Sequence, residues 1–328
     1  MHRDHGVRGR GCVSARRSAE SWLLLASYGS VAVALILIVV KAAAWLYTGS
    51  ASLLGSLIDS FMDSMASLLS MAAVRYSLKP ADEEHRFGHG KAESLAALAQ
   101  SAFIMGSAVL LFLYCVERIV QAEEHVLENT GIGIAVSVCA IVCTLGLLAL
   151  QTHAIGLTGS TAISADRLHY KSDLLMNGAV IVSLLFAQRG VYLVDVIMGL
   201  FIAVVISRGA VQIGWEAFGL LMDKALPPEV DHHIRELALS SPGVLGVHDL
   251  RTRRSGMRYI IQLHVELEDE TSLLVAHGIA DAVETRLREA YPGADVIIHQ
   301  DPHSAVAEEY AGALAQGSLP AYPGLRSG

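Results

Sequence analysis

Charge is scarce in this chain of 328 residues. Asp, Glu, Lys and Arg together make up 17%, where a soluble domain carries about 25%. Hydrophobic residues reach 53% and mean hydropathy is +0.46, which excludes an ordinary soluble protein and points to membrane spans. Positive charge is also short: the formal net charge is -8, which excludes a nucleic-acid partner. Cysteine is nearly absent. Cys12, Cys115, Cys139 and Cys143 form no CxxC pair, and the last three lie in apolar segments. They read as small core residues and exclude a disulfide framework. No internal repeat is visible.

What is present is long apolar runs. A bilayer core needs roughly 20 predominantly apolar residues per helix. Such stretches run near 22–46, 51–77, 92–118, 130–153, 162–187 and 190–214. The first follows an arginine-rich stretch but is too long for a signal-peptide core and has no clean cleavage site. Lys and Arg placement sets the topology. Arg3, Arg8, Arg10, Arg16 and Arg17 put the N-terminus inside, and Arg75, Lys79, Arg86 and Lys91 mark an inner loop. Glu123, Glu124 and Glu128 mark an outer one, and residues 151–167 are inner again. Six spans then leave both termini in the cytoplasm.

The chain changes character at Asp223-Lys224-Ala225-Leu226-Pro227-Pro228, where two prolines end a helix and open a linker. Helical periodicity over 229–240, alternation over 244–254 and 258–268 around Ser255-Gly256, a second helix over 272–290 and a strand over 294–300 predict an αββαβ domain. The expected organisation is a basic arm at 1–20, a six-helix transmembrane domain at 21–223, a cytoplasmic metal-binding α/β domain at 224–303 and a disordered tail at 304–328.

Asp59 and Asp63 in the second span, and His169 and Asp173 in the fifth, are each four residues apart and share a helix face. A charge in a membrane helix costs about 2.5–3.5 kcal/mol on insertion scales, so these groups ask for a purpose. Two facing pairs supply four nitrogen and oxygen ligands, enough for tetrahedral Zn2+. A structural polar cluster or a metal-free proton relay is the alternative. Because imidazole must lose its proton to bind metal, such a site can couple metal and proton flow. Asp82, His85 and His89 in the loop after the second span form either a weak metal site or a plain solvated loop, with Arg86 and Lys91 weighing against a strong site. In the last domain, strand period places His264 with Gln262 and Glu266, opposite Ile261, Leu263 and Val265. His248, His264, His299 and Asp301 together favour metal binding.

The paired Asp59/Asp63 and His169/Asp173, the six spans and the αββαβ tail resemble the cation diffusion facilitator family. Pro80-Ala81-Asp82 through Phe87-Gly88-His89-Gly90-Lys91-Ala92-Glu93-Ser94, Leu168-His169-Tyr170-Lys171-Ser172-Asp173 and His299-Gln300-Asp301-Pro302 are similar to its bacterial ferrous-iron/zinc efflux branch. The resemblance covers roughly residues 20–303. It implies a proton-coupled antiporter in the bacterial inner membrane, exporting Zn2+ or Fe2+, with no enzymatic activity; the ligand chemistry also suits Co2+ and, less well, Cd2+. It implies a transport site at Asp59, Asp63, His169 and Asp173 and a loop site at Asp82, His85 and His89. It further implies a binuclear zinc site at His248, His264, His277, His299 and Asp301 that steadies a homodimer. Lys91 and Asp223 match a charge interlock, and Leu168 a hydrophobic gate. His303 departs from the pattern and stands where it can alter the cytoplasmic site.

Two other readings compete with transport. An intramembrane protease needs one Asp on each of two facing spans with a GxGD pattern, or an HExxH pair; neither pattern is present. A membrane-anchored metal sensor without transport leaves the aspartates of the spans unexplained. Imidazole with carboxylates suits Zn2+ or Fe2+ without choosing between them.

Overall fold

The computed structural model describes the backbone of residues 5–48, 51–121, 130–187 and 193–306. It describes the side chains there other than 5–17, 48, 51–55, 59, 119, 121, 130–133, 180, 183–187 and 193–195. The expected outer acidic loop, the turn near 188–190 and the tail from 307 lie outside the described residues. Two compact units result, one of Ser14–Leu221 and one whose folded part begins at Met222.

The first unit holds α1 (His5–Thr48), α2 (Ala51–Ser77), α3 (Lys91–Gln121), α4 (Thr130–Thr158), α5 (Thr161–Ala187) and α6 (Leu193–Leu221). Even α5, with 27 residues at about 1.5 Å each, exceeds the ~30 Å of a hydrocarbon core. Over the described residues, all but α5 are also apolar enough to cross a membrane. The exception carries Asp166, Arg167, Lys171 and Asp173. Two expected boundaries move. The helix of the sixth span continues through Gln212 and Glu216 to Leu221, and the α4–α5 connection shrinks to Gly159–Ser160. Residues 151–167, expected on the inner side with the connection at 154–161, are helix apart from Gly159–Ser160.

Polarity in this unit is inverted relative to a soluble bundle. Val39, Leu110, Phe201 and Trp215 are exposed, while Ser27, Ser30, Ser67, Ser70, Gln100 and Gln151 are buried. Lipid tails satisfy apolar surface, so helices instead associate through small residues and hydrogen bonds. Ala97, Ala165 and Ala217 bring α3, α5 and α6 together. At Gly209 of α6, an added Cβ would stand 2.8 Å from Leu168 Cδ1, so only glycine admits Leu168 of α5 there.

The second unit contains α7 (Pro228–Leu239), β1 (Gly246–Ser255), β2 (Arg258–Leu267), α8 (Leu273–Ala290) and β3 (Asp295–Pro302), the expected αββαβ order. Pro228 suits the first helical turn, where its missing N–H leaves nothing unpaired. Glu229 and Asp231 favour the same helix end. Gly256, at φ 59, opens the two-residue loop between β1 and β2, as hairpin turns of this length demand. The sheet order is β1-β2-β3, with β1–β2 antiparallel and β2–β3 parallel. Ile261, Leu263 and Val265 are buried against Ile234, Val283 and Leu287 of the helices. Burying each such side chain contributes about 1.5–3 kcal/mol. The opposite face of the sheet keeps its polar row.

Candidate metal sites

In the membrane unit, α2 and α5 bring Asp63, His169 and Asp173 together, one ligand atom from each lying within 4.8 Å of the others. A buried serine stripe (Ser60, Ser64, Ser67, Ser70) lets α2 approach its neighbours closely. His169 Nε2 stands 3.1 Å from Asp63 Oδ1 and 3.8 Å from Asp173 Oδ2. It is buried and makes no aligned hydrogen bond among the described residues. Three polar groups thus converge on a shared point instead of pairing off, which is the geometry a cation fills. Asp59 lies one turn before Asp63 on α2; its side chain is outside the described residues. Leu168, the expected gate, packs among Ile104, Ala108, Ile202 and Ile206.

The loop after α2 folds on Asp82. Its Oδ1 accepts the backbone N–H of Glu84 at 3.1 Å and of His85 at 2.7 Å. The His85 N–H holds this carboxylate below its usual range against slight desolvation, with His89 and His85 adding to the effect. Oδ2 lies 3.3 Å from His89 Nε2, and the His85 and His89 rings are 4.5 Å apart. His89 is buried against Tyr76, and its Nδ1 has no hydrogen-bond partner among the described residues. Lys91 turns away from this loop site and donates to the Leu221 carbonyl at 3.2 Å. In the other unit, Asp223 accepts Arg253 at 2.9 Å.

In the second unit, strand register aligns three histidines laterally: His248 pairs with His264, and His264 with His299. Their rings are 5.0 and 4.6 Å apart. One row along, Asp301 serves all three. Its Oδ2 lies 3.2 Å from His248 Nε2 and 2.8 Å from His264 Nδ1, and its Oδ1 lies 3.1 Å from His299 Nε2. A carboxylate with histidines on both oxygens can bridge two cations. His277 stands apart on α8, exposed, 3.5 Å from Asp281.

Two acids were not picked out as ligands from sequence. Glu266 lies 3.1 Å from His248 Nδ1 and 2.9 Å from His303 Nδ1. It orients the His248 ring with Nε2 toward Asp301, the position an outer-shell carboxylate takes, and it is what His303 touches. Asp249, at φ 42 in the bulge between His248 and Arg251, lies 3.7 Å from His264 Nε2. The bulge turns its side chain to the histidine face. Alternation alone would have put Asp249 on the core face.

A membrane unit carrying an acid–histidine cluster and a small domain carrying another define a metal-handling membrane protein. Comparison gives the class. The Cation efflux transmembrane domain family matches residues 27–222, and the Cation efflux protein, cytoplasmic domain family matches residues 226–303. The chain belongs to the cation efflux family and is a multi-pass membrane protein.

Its relatives narrow this further. It is 49% identical over 283 residues to the cation-efflux pump FieF of Shewanella oneidensis, covering 86% of this chain and 95% of the relative. It is 50% identical over 290 residues to FieF of Pectobacterium atrosepticum, covering 88% and 96%. A CzrB transporter chain in its zinc form is 36% identical and matches 25% of this chain and 96% of its own length, at TM-score 0.24.

Proposed function

We propose that this protein is a proton-coupled antiporter that exports a divalent transition-metal cation, Zn2+ or Fe2+ and also Cd2+ and Co2+, across a bacterial inner membrane. The carrying observation is the convergence of Asp63, His169 and Asp173 within the spans, with His169 Nε2 buried and unaligned to either carboxylate. Asp59, on the same face one turn away, completes a four-ligand set for the transported ion. Metal leaving such a set exposes charges that protons then neutralise, which couples the two flows. Leu168 beside His169 is the hydrophobic gate of this reading. Asp82, His85 and His89 form an accessory loop site for incoming metal.

In the second unit, His248, His264, His299 and Asp301, with His277 as the outlying member, hold zinc and steady a homodimer whose interlock uses Lys91 and Asp223. Both termini are cytoplasmic, and lipid is the surrounding solvent.

The test is flux in reconstituted vesicles holding a zinc-sensitive dye under an imposed pH gradient, comparing the native chain with Asp63→Ala. Zinc entry that follows the gradient and vanishes in the variant supports the antiporter. Equal flux in both removes Asp63 from the mechanism. No flux in either, with zinc still bound by the second unit, favours a membrane-anchored sensor.

A further inference from the structure

Asp166 is fully shielded from solvent, lies three residues before His169 on α5 and takes no part in the metal cluster. Side chains of three other helices close on its carboxylate. Gln151 Nε2 of α4 donates to Oδ2 at 2.8 Å. Ser67 Oγ of α2 and Gln100 Nε2 of α3 donate to Oδ1 at 3.2 and 3.4 Å. Gln151 Nε2 also reaches Ser30 Oγ of α1 at 3.0 Å. Tyr170 donates to the Ser30 carbonyl at 2.8 Å and lies 3.0 Å from Ser67 Oγ. Every donor to Asp166 is neutral. Such bonds offset part of the cost of burying a carboxylate but bring no counter-charge.

A second observation concerns Gln151, itself fully buried. Its Oε1 has no hydrogen-bond partner among the described residues. A buried acceptor left unmatched costs about 1–3 kcal/mol. Amide oxygen and nitrogen exchange places on a half-turn of the side-chain amide. After that half-turn, Oε1 stands 2.8 Å from Asp166 Oδ2, where Nε2 stood, and accepts a hydrogen bond from a proton held there. The pocket therefore fits a carboxylate in one amide orientation and a carboxylic acid in the other, with no movement of the backbone.

We propose that Asp166 is a proton-carrying site of the transport cycle, separate from the metal ligands, with Gln151 as its two-position partner. The assignment rests on the antiport reading above. The proton adds to Asp166 Oδ2 to form an O–H that donates to Gln151 Oε1. On departure, the amide turns back and Nε2 donates to the carboxylate.

His169 of α5 interacts electrostatically with Asp166, and the other charged groups on the surrounding helices have partners of their own. Lys41 of α1 bonds Ser60 Oγ and the Ser56 carbonyl, and Asp63 of α2 faces His169. Glu93 of α3 accepts Ser77 and Ser160, and His153 of α4 packs on Trp22. On α5 itself, Arg167 donates to Thr152 and Asp173 faces His169. α6 approaches α5 at Ala165 and Leu168 through Ala217 and Gly209.

The test uses the full chain in vesicles without metal, by infrared difference spectroscopy between acidic and alkaline buffer. The native chain is expected to gain a carboxylic-acid C=O band on acidification. That band is lost in Asp166→Asn and displaced in Asp166→Glu. Gln151→Leu, which keeps the carboxylate, is expected to move the pH midpoint of the band. In parallel flux assays, Asp166→Asn is expected to bind zinc but lose the response of zinc flux to the pH gradient.

A band unchanged in Asp166→Asn, or a midpoint unmoved in Gln151→Leu, overturns the assignment. So does gradient-driven flux in Asp166→Asn with the native pH profile, and that result leaves the antiport reading standing. Native flux indifferent to the gradient overturns the antiport reading and this assignment with it. Asp166→Glu, which keeps shape and titration, is the check on folding.

Discussion

The acid–histidine cluster between the spans and the one on the sheet use the same side chains in opposite surroundings. Asp63, His169 and Asp173 sit on two helices in a low-dielectric bundle, and His169 is 7% exposed. His248, His264, His299 and Asp301 lie on the open face of a three-stranded sheet, and the side chain of His299 is 64% exposed. In the spans, removing one member leaves the others in low-dielectric surroundings with less compensation. On the sheet, water solvates what remains. The first cluster suits a cation that must be bound and then released as charge changes. The second suits a resident ion whose carboxylate, Asp301, is shared among three histidines.

Mutation can break this comparison. Asp63→Ala is expected to have the largest effect, abolishing gradient-driven zinc flux. The expected fall in affinity exceeds the roughly 10–100-fold that an outer-shell change costs. A variant that still transports would place the two clusters on an equal footing. Asp301→Ala comes next. It should remove metal binding by the second unit, read by equilibrium dialysis of the full chain, while flux through the spans is retained in part. Complete loss of both would mean that the sheet cluster is as indispensable as the membrane one.

Glu266→Gln sharpens the comparison further. It keeps the shape but weakens the hold on His248 Nδ1, and zinc affinity of the second unit should fall about 10–100-fold. An unchanged affinity would remove Glu266 from the outer shell.

The smallest effect is electrostatic. The Ser304 N–H holds Asp269 below the usual carboxylate range, with His303 contributing. The folded value is depressed, so this contribution is present above the unfolded pKa of Asp and is lost as pH falls through the lowered folded value. Amide exchange across 303–306 should quicken only at that acid limit, and Asp269→Asn should remove the pH dependence.

Much of the membrane cluster was legible because helical periodicity is local. Residues four apart share a face wherever the helix sits, so Asp59/Asp63 and His169/Asp173 could be paired from spacing alone. Strand alternation likewise separated His264 from Leu263. The partners of Asp166 were not legible. Gln151 and Asp166 fall near the ends of the expected spans 130–153 and 162–187, where polar groups commonly meet water, yet both are fully buried because four helices bring Ser30, Ser67, Gln100 and Tyr170 to meet them. Polarity alone does not reveal that a polar side chain will find a partner far along the chain.

Composition and spacing by themselves determined that this chain lives in a membrane, that its apolar helices precede a small αββαβ domain, and that acids and histidines recur on single faces. Only tertiary structure decided which faces meet. The parallel pairing of β3 with β2 lines His299 up with His264. The bulge at Asp249 turns an acid toward the histidines, and Gly209 admits Leu168. Such contacts join residues far apart in sequence. Their geometry depends on register and helix packing, which no local pattern encodes.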